Sequence, residues 1–279
     1  MRTRRTITAV TSALTAACAA TASPLPAGAA VPVCSSDRSP ALAARLSADI
    51  PAALRGRHGP VAVGVFDRPT HTRCGLAATT HFQSASVVKV TILAALLRRA
   101  EEARRGLTAQ EQRLAESMIT RSDNASATAL WNEVGQAGIR HFLALAGMDE
   151  TRIDESGYWG KTQITAGDQL ILLKLLTFSG TTTLGAASRA YVLRLMAAVV
   201  PGQRWGTPTG APAGVNVHVK NGWVDRSDGA GWRVNSLGAF DGHGKDYQIV
   251  VLTQGNPTEA YGHETIEGVA RVIHRDLNS

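Results

Sequence analysis

Lysine is scarce in this chain, five residues among 29 lysines and arginines, so the position of each one is informative. Lys89 stands inside the most apolar stretch, residues 87–97. A lone ammonium there is costly unless it is paired or its pKa is lowered. Ser86 lies three residues earlier, which puts both side chains on one face of a helix. A neutral lysine beside a serine hydroxyl in a poorly solvated pocket can take the serine proton, making Ser86 a candidate nucleophile. At a helix start, the backbone N–H groups around Ser86 also point towards a developing oxyanion. Two further groups follow in order: Ser122-Asp123-Asn124 between helices, and Lys220-Asn221-Gly222 closing a strand.

Each group also has a structural reading. Ser86 can be a helix cap, Lys89 a snorkelling side chain, Ser122 or Asp123 another cap, and Lys220-Asn221-Gly222 a strand-end turn. The joint occurrence of S-x-x-K, S-D-N and K-x-G is expected by chance in roughly a few per thousand chains of this composition, before their order is counted. The set marks class A β-lactamases and penicillin-binding proteins. From about residue 40 to 279 the chain resembles the penicillin-recognising serine hydrolases, closest to the class A β-lactamase branch. Supporting segments are His81-Phe82-Gln83 before Ser86, Met118-Ile119 before Ser122, Thr151-Arg152-Ile153-Asp154, Leu237-Gly238 and Ile249-Val250-Val251.

The resemblance implies an α/β fold. An antiparallel sheet is flanked by helices and built from both termini, with an all-helical block inserted between. It implies Ser86 as the acylated nucleophile, Lys89 as its base, and Ser122 as proton donor to the leaving nitrogen. Lys220 supports Ser122 and attracts a substrate carboxylate, Asn124 holds the substrate amide, and Asp123 fixes its loop. Asn221, Gly222 and Trp223 complete the substrate side, with the N–H groups of Ser86 and Trp223 forming an oxyanion hole. Three departures stand out. The segment from Lys89 to Ser122 is shorter than in familiar class A enzymes, and Asn221 replaces a hydroxyl residue. The position of the family's deacylating glutamate falls on Gly157, with Glu155 two positions early and Glu150 further away. Arg233 is a weak candidate for binding a carboxylate, out of register with the family's arginine.

The resemblance implies an exported serine hydrolase with class A β-lactamase-like activity on β-lactams or related amides and esters, its partners small β-lactam, peptide or ester substrates. A penicillin-binding or D-Ala peptidase-like enzyme with slow deacylation, and a non-catalytic protein holding a cell-wall ligand, are the alternatives. The eight histidines show no metal-ligand spacing, and no phosphate loop or dinucleotide fingerprint occurs, so no metal or cofactor is implied. Aromatics at 5% and no basic run longer than two residues give no argument for nucleic acid. A monomer is expected.

Residues 1–30 carry Arg2, Arg4 and Arg5, no acids, an Ala/Thr-rich apolar stretch and Ala27-Gly28-Ala29, the order of an export signal. Its removal lowers the net charge from +7 to about +4, since three of the 29 basic residues and none of the 22 acids lie in it. Cys18 and the Arg4-Arg5 pair leave lipoprotein and twin-arginine routes open. A secreted, extracytoplasmic protein is expected, with no membrane-spanning segment in its mature part. Two cysteines then remain, Cys34 and Cys74, and an oxidising compartment favours their pairing over two unlinked thiols.

Residues 31–40 read as an exposed lead-in to a catalytic domain over 41–279. Periodicity predicts helices over 41–54, 86–104, 108–120, 124–135, 138–147, 165–178, 184–200 and 263–277. It predicts strands over 61–67, 215–219, 232–240 and 247–253, and a Gly- and acid-rich loop over 149–162.

Overall fold

The computed structural model describes residues 33–225 and 229–279. The proposed export signal at 1–30 lies outside the described residues. In chain order the elements are β1 (Cys34–Ser36), α1 (Pro40–Ala53), β2 (Val61–Asp67), β3 (Thr72–Leu76), β4 (Phe82–Gln83), α2 (Lys89–Glu102), α3 (Ala109–Thr120) and α4 (Asn124–Ala146). There follow β5 (Gln163–Ile164), α5 (Ala166–Thr177), α6 (Ala186–Ala197), β6 (Asn216–Val224), β7 (Trp232–Gly242), β8 (Lys245–Asn256) and α7 (Glu259–Leu277). One sheet runs β1-β3-β2-β8-β7-β6, with every neighbouring pair antiparallel. The expected architecture is therefore present, with N-terminal and C-terminal strands meeting where β2 pairs with β8.

Alternation along the strands sends side chains to two cores. Val63 and Val65 of β2 and Ile249 and Val251 of β8 pack with Leu46 and Ile50 of α1 and Ile266, Val269 and Ile273 of α7. On the other face, Ala62, Leu237, Ala239, Val250 and Leu252 meet the helical block. At its centre lies α2, with Val90, Ile92, Leu93 and Leu96 wholly inaccessible. Gly64 faces this block; a β-carbon on it would lie 3.2 Å from the Ala166 carbonyl oxygen, so its absence lets α5 start against the sheet.

Side-chain caps set several of the helix starts. Thr108 and Glu111 form a reciprocal capping box, Asp123 caps α4, and Thr165 caps α5. The two helices expected over 124–147 are joined head to tail, with Gly135 non-helical at φ 71°. Several differences concern strands, β4 and β5 among them, which were not expected. Residues 34–36, read as part of an exposed lead-in, form the edge strand β1 with Cys34 buried, and α1 begins at Pro40. β3 has only two apolar residues, Cys74 and Leu76, and becomes a strand through pairing with both β1 and β2. β6 does not end before Lys220; pairing with β7 carries it through Val224 despite the low strand propensity of Lys-Asn-Gly.

Cys34 and Cys74 are opposite each other in the β1–β3 register and are joined by a disulfide, as expected. The bond closes a loop spanning a sequence separation of 40 and ties the short edge strand to the sheet. Chain-entropy arithmetic for such a loop gives about 4 kcal/mol of stabilisation. Cys34→Ser with Cys74→Ser should lower the denaturant unfolding free energy by about that amount. An unchanged denaturation midpoint would contradict it.

Candidate active site

The turn that carries Ser86, the candidate nucleophile, is held by both neighbouring strands and the helix that follows it. Phe82 and Gln83 of β4 pair with Ile164 and Gln163 of β5, and Ser84 N–H donates to the Thr162 carbonyl at 2.9 Å. From β7, buried Asn235 donates through Nδ2 to the carbonyls of Gln83 (2.9 Å) and Ser84 (3.1 Å), while its Oδ1 accepts from Thr253 N–H at 3.2 Å. Ala85 sits at φ 47°, an unfavourable left-handed position for a residue with a β-carbon, and a 3-10 turn over Ala85–Val88 leads into α2. Ser86 is half-buried on that turn.

Gly222 explains how β6 reaches the turn. A β-carbon on it would lie 2.5 Å from Ser86 N and 2.7 Å from Val87 N, distances no side chain tolerates. Only glycine lets the strand backbone approach here. Trp223, next along β6, lines the same cavity as Ser86 and packs edge-on against Trp205 at 5.7 Å.

Lys89 is inaccessible at the first position of α2. Its Nζ donates to the Ser122 carbonyl at 2.6 Å, to Asn124 Oδ1 at 2.8 Å and to Ser122 Oγ at 3.2 Å. The Trp159 ring lies 4.7 Å away. Burial lowers its pKa from 10.5 to about 7, opposed by the nearby Asp123 carboxylate. Hydrogen bonds from Ser126 hold the Asp123 carboxyl below its ordinary range, and its carboxylate accepts from Ser126 N–H at 2.7 Å as the α4 cap. Ser122, at φ 57°, turns both its carbonyl and its hydroxyl towards the lysines. Lys220 Nζ donates to Ser122 Oγ at 2.9 Å and to the Asn221 carbonyl at 2.7 Å. Its pKa is pushed well below the ordinary range by complete burial and then by the Lys89 charge.

Ser86, Lys89, Ser122, Asn124, Lys220, Gly222 and Trp223 are thus gathered at one place. The expected direct contact between Ser86 and Lys89 is not made: among the described residues no hydrogen bond joins them, and the amine is engaged at Ser122 and Asn124 instead. Asn221 is not part of the cavity. Its side chain leaves the strand opposite Lys220, and its Nδ2 donates to the carbonyls of Gln203 (3.0 Å) and Trp205 (2.8 Å). Arg233 is also outside the lining, its Nη1 donating to the carbonyls of Ala230 (2.9 Å) and Gly231 (2.5 Å). Glu155 is exposed and borders a different cavity with Arg140 and Arg152. Glu150 faces His81 at 3.7 Å.

The Ser86 cavity measures about 270 Å3 and is lined by Ser86, Asn124 and Trp223 together with Tyr158, Trp159 and Lys161 of the 149–162 loop. No carboxylate or histidine is among its described lining residues. The loop aromatics and Asn235 were not anticipated as site residues. Tyr158-Trp159, an aromatic pair in a loop otherwise rich in glycine and acids, is the signal that marks the former; a buried strand asparagine offers none.

A profile of the Beta-lactamase enzyme family matches residues 45–112 and 105–277. The chain belongs to that family. A class A β-lactamase from Bacteroides cellulosilyticus superposes with a TM-score of 0.73 at 19% identity, covering 84% of this chain and 98% of its own. A β-lactamase from Xanthomonas campestris gives 0.71 at 20%, over 84% and 97%. The extended-spectrum β-lactamase TLA-3 gives 0.75 at 16%, over 84% and 98%. These likenesses show the fold. Among curated protein sequences none matches significantly.

Within this β-lactamase-family site two outcomes test the geometry. The neutral form of Lys89 is the one that accepts a proton, and it predominates above its pKa. Acylation of Ser86 by a neutral reagent should therefore rise with pH through about 7 and level off above it. Lys89→Met should remove the rise, and a midpoint near that of an ordinary lysine would contradict the buried amine. Gly222→Ala should slow acylation by about 10²-fold or more, since the turn and strand must separate. An unchanged acylation rate would show that their close approach is dispensable.

Proposed function

We propose that this protein is an exported serine hydrolase, its working part following residue 30, that forms an acyl-enzyme at Ser86 on β-lactams or related amides and esters and releases it slowly. The observation that carries this reading is that Ser86 opens on a cavity beside Ser122 Oγ, to which both Lys89 and Lys220 donate, with no carboxylate or histidine among the cavity's described lining residues. Neutral Lys89 takes the Ser86 proton as Oγ bonds to the substrate carbonyl carbon. The oxyanion is received by the N–H groups of Ser86 and Trp223, whose approach Gly222 permits. As the carbon–nitrogen bond breaks, Ser122 Oγ gives its proton to the leaving nitrogen and regains one from Lys89. Lys220 orients Ser122, and Asn124 holds both Lys89 and the substrate amide.

Hydrolysis of the acyl-enzyme needs a base placed to activate water. Glu155 stands elsewhere, and the loop offers Tyr158, Trp159 and Lys161. A positioned general base contributes about 10²–10⁴-fold, and deacylation should be slower by that order than where one is present. This favours penicillin-binding or peptidase-like behaviour over rapid lactam turnover. The disulfide is in keeping with an extracytoplasmic location.

Intact mass followed over time with benzylpenicillin, alongside lactam absorbance, tests both halves. The expected result is an adduct that outlasts the acylation phase and is absent from Ser86→Ala. Fast lactam loss with no adduct would overturn slow release, and labelling that survived Ser86→Ala would overturn the nucleophile. No adduct and no turnover of lactams or activated esters would turn the reading to a non-catalytic binding protein.

A further inference from the structure

We propose a second binding site, for an amphipathic anion with a carboxylate or phosphate head on an apolar tail, in the cleft between the β2–β3 hairpin and α5. This cleft measures about 450 Å3, within the range of small-molecule sites, and shares no lining residue with the Ser86 cavity. Its lining includes Arg68, His71, Arg73 and Lys174 and no carboxylate.

The cations are crowded together around one ring. Lys174 Nζ lies 4.4 Å from the centre of the buried Phe66 ring, and the Arg73 guanidinium lies 5.6 Å from it. Phe66 and Arg73 are directly paired across β2 and β3. Among the described residues neither Lys174 nor Arg73 has a carboxylate within ion-pair distance. Arg68 is partly neutralised by Asp246 at 3.2 Å, and His71 lies 4.0 Å from the well-exposed Asp37. Burial lowers the Lys174 pKa, and the charges of Arg73 and Arg68 lower it further. Like charges held close on a low-dielectric floor repel, and an anion between them relieves that repulsion while gaining charge-assisted hydrogen bonds.

The apolar half of the cleft is equally unusual. Ile171 and Phe178, 37% and 48% exposed, are two of only four large hydrophobic side chains exposed among the described residues, and both line it. The Phe178 ring stacks against Arg68 at 4.7 Å, placing apolar and cationic surface side by side. A purely ionic ligand would leave Ile171 and Phe178 uncovered, and a neutral lipid would leave the cations uncompensated. An alkyl chain carrying one anionic head satisfies both.

Isothermal titration calorimetry with decanoate and decyl phosphate, below their micellar concentrations, tests this on the processed protein. One of them should bind with 1:1 stoichiometry, the tighter one identifying the head group as carboxylate or phosphate. Decyl maltoside, acetate and inorganic phosphate should each bind at least about tenfold more weakly. Lys174→Met and Arg73→Gln should each weaken binding by a similar factor with an unchanged unfolding midpoint. Phe178→Ser, at an exposed position, should do the same and serves if either charge variant is unstable. No binding, equal binding of the maltoside or of the tailless anions, or affinities untouched by these substitutions would overturn the site. The outcome is independent of whether Ser86 is acylated.

Discussion

Two lysine ammonium groups are brought inside the protein to share one serine hydroxyl, and the surroundings are arranged around the cost of doing so. Neither Lys89 nor Lys220 has accessible surface, and a buried unpaired charge is among the most destabilising features a core can hold. Among the described residues, this is offset without a carboxylate in contact with either amine. Lys89 finds the Ser122 carbonyl and Asn124 Oδ1, Lys220 finds the Asn221 carbonyl, and both meet at Ser122 Oγ. Asp123 supplies a charge at one remove while its own oxygen is committed to the α4 cap. A contacting carboxylate would hold Lys89 protonated. Hydrogen-bond acceptors satisfy its protons yet leave it able to give one up near neutrality, which is what a base in an acyl transfer requires.

That arrangement dictates contacts far apart in sequence. Lys89 comes from α2, Ser122 from the α3–α4 turn and Lys220 from β6, so the helical block and the sheet must be fixed against each other to within a fraction of an ångström. The apolar surroundings of α2 do this for Lys89, and the long β6–β7 pairing does it for Lys220. Between them, Gly222 and Asn235 fix the nucleophile turn: one removes a side chain so that backbones approach, and the other ties two carbonyls of the turn to the centre of the sheet. Left-handed Ala85 and Ser122 are strained positions retained in the same small volume.

The chemistry-bearing residues were legible in the sequence because their types conflict with their surroundings: a lysine in an apolar helix, and a serine at its start. The helix starts expected at 108, 124 and 165 are set by Thr108, Asp123 and Thr165, whose side chains accept from amides three residues away. Strand β3 and the far half of β6 were not legible, because Arg73, Gly75, Lys220 and Asn221 become strand residues through pairing with neighbouring strands, which their own side chains do not announce. Asn221 shows the same limit at the site. Its place beside Lys220 suggested substrate contact, but the period-two geometry of a strand sends neighbours to opposite faces, and the Gln203 and Trp205 carbonyls were waiting on the other side.

The loop over 149–162 carries the clearest divergence between resemblance and structure. Its sequence supplies Glu150, Asp154 and Glu155, so acids are not scarce; their placement is what differs. Asp154 accepts from Tyr158 N–H at 3.1 Å and thereby shapes the loop, and left-handed Gly157 follows Glu155 by two residues and turns the chain inwards. The residues this bend delivers to the cavity are Tyr158 and Trp159, the latter fixed by donation from Nε1 to Thr128 Oγ1 at 3.1 Å and lying over Lys89. The indole face beside that amine helps to enclose it, and carries no group that can deprotonate water. The bend therefore places aromatic surface over Lys89 and, among the described residues, no carboxylate or histidine in the cavity lining.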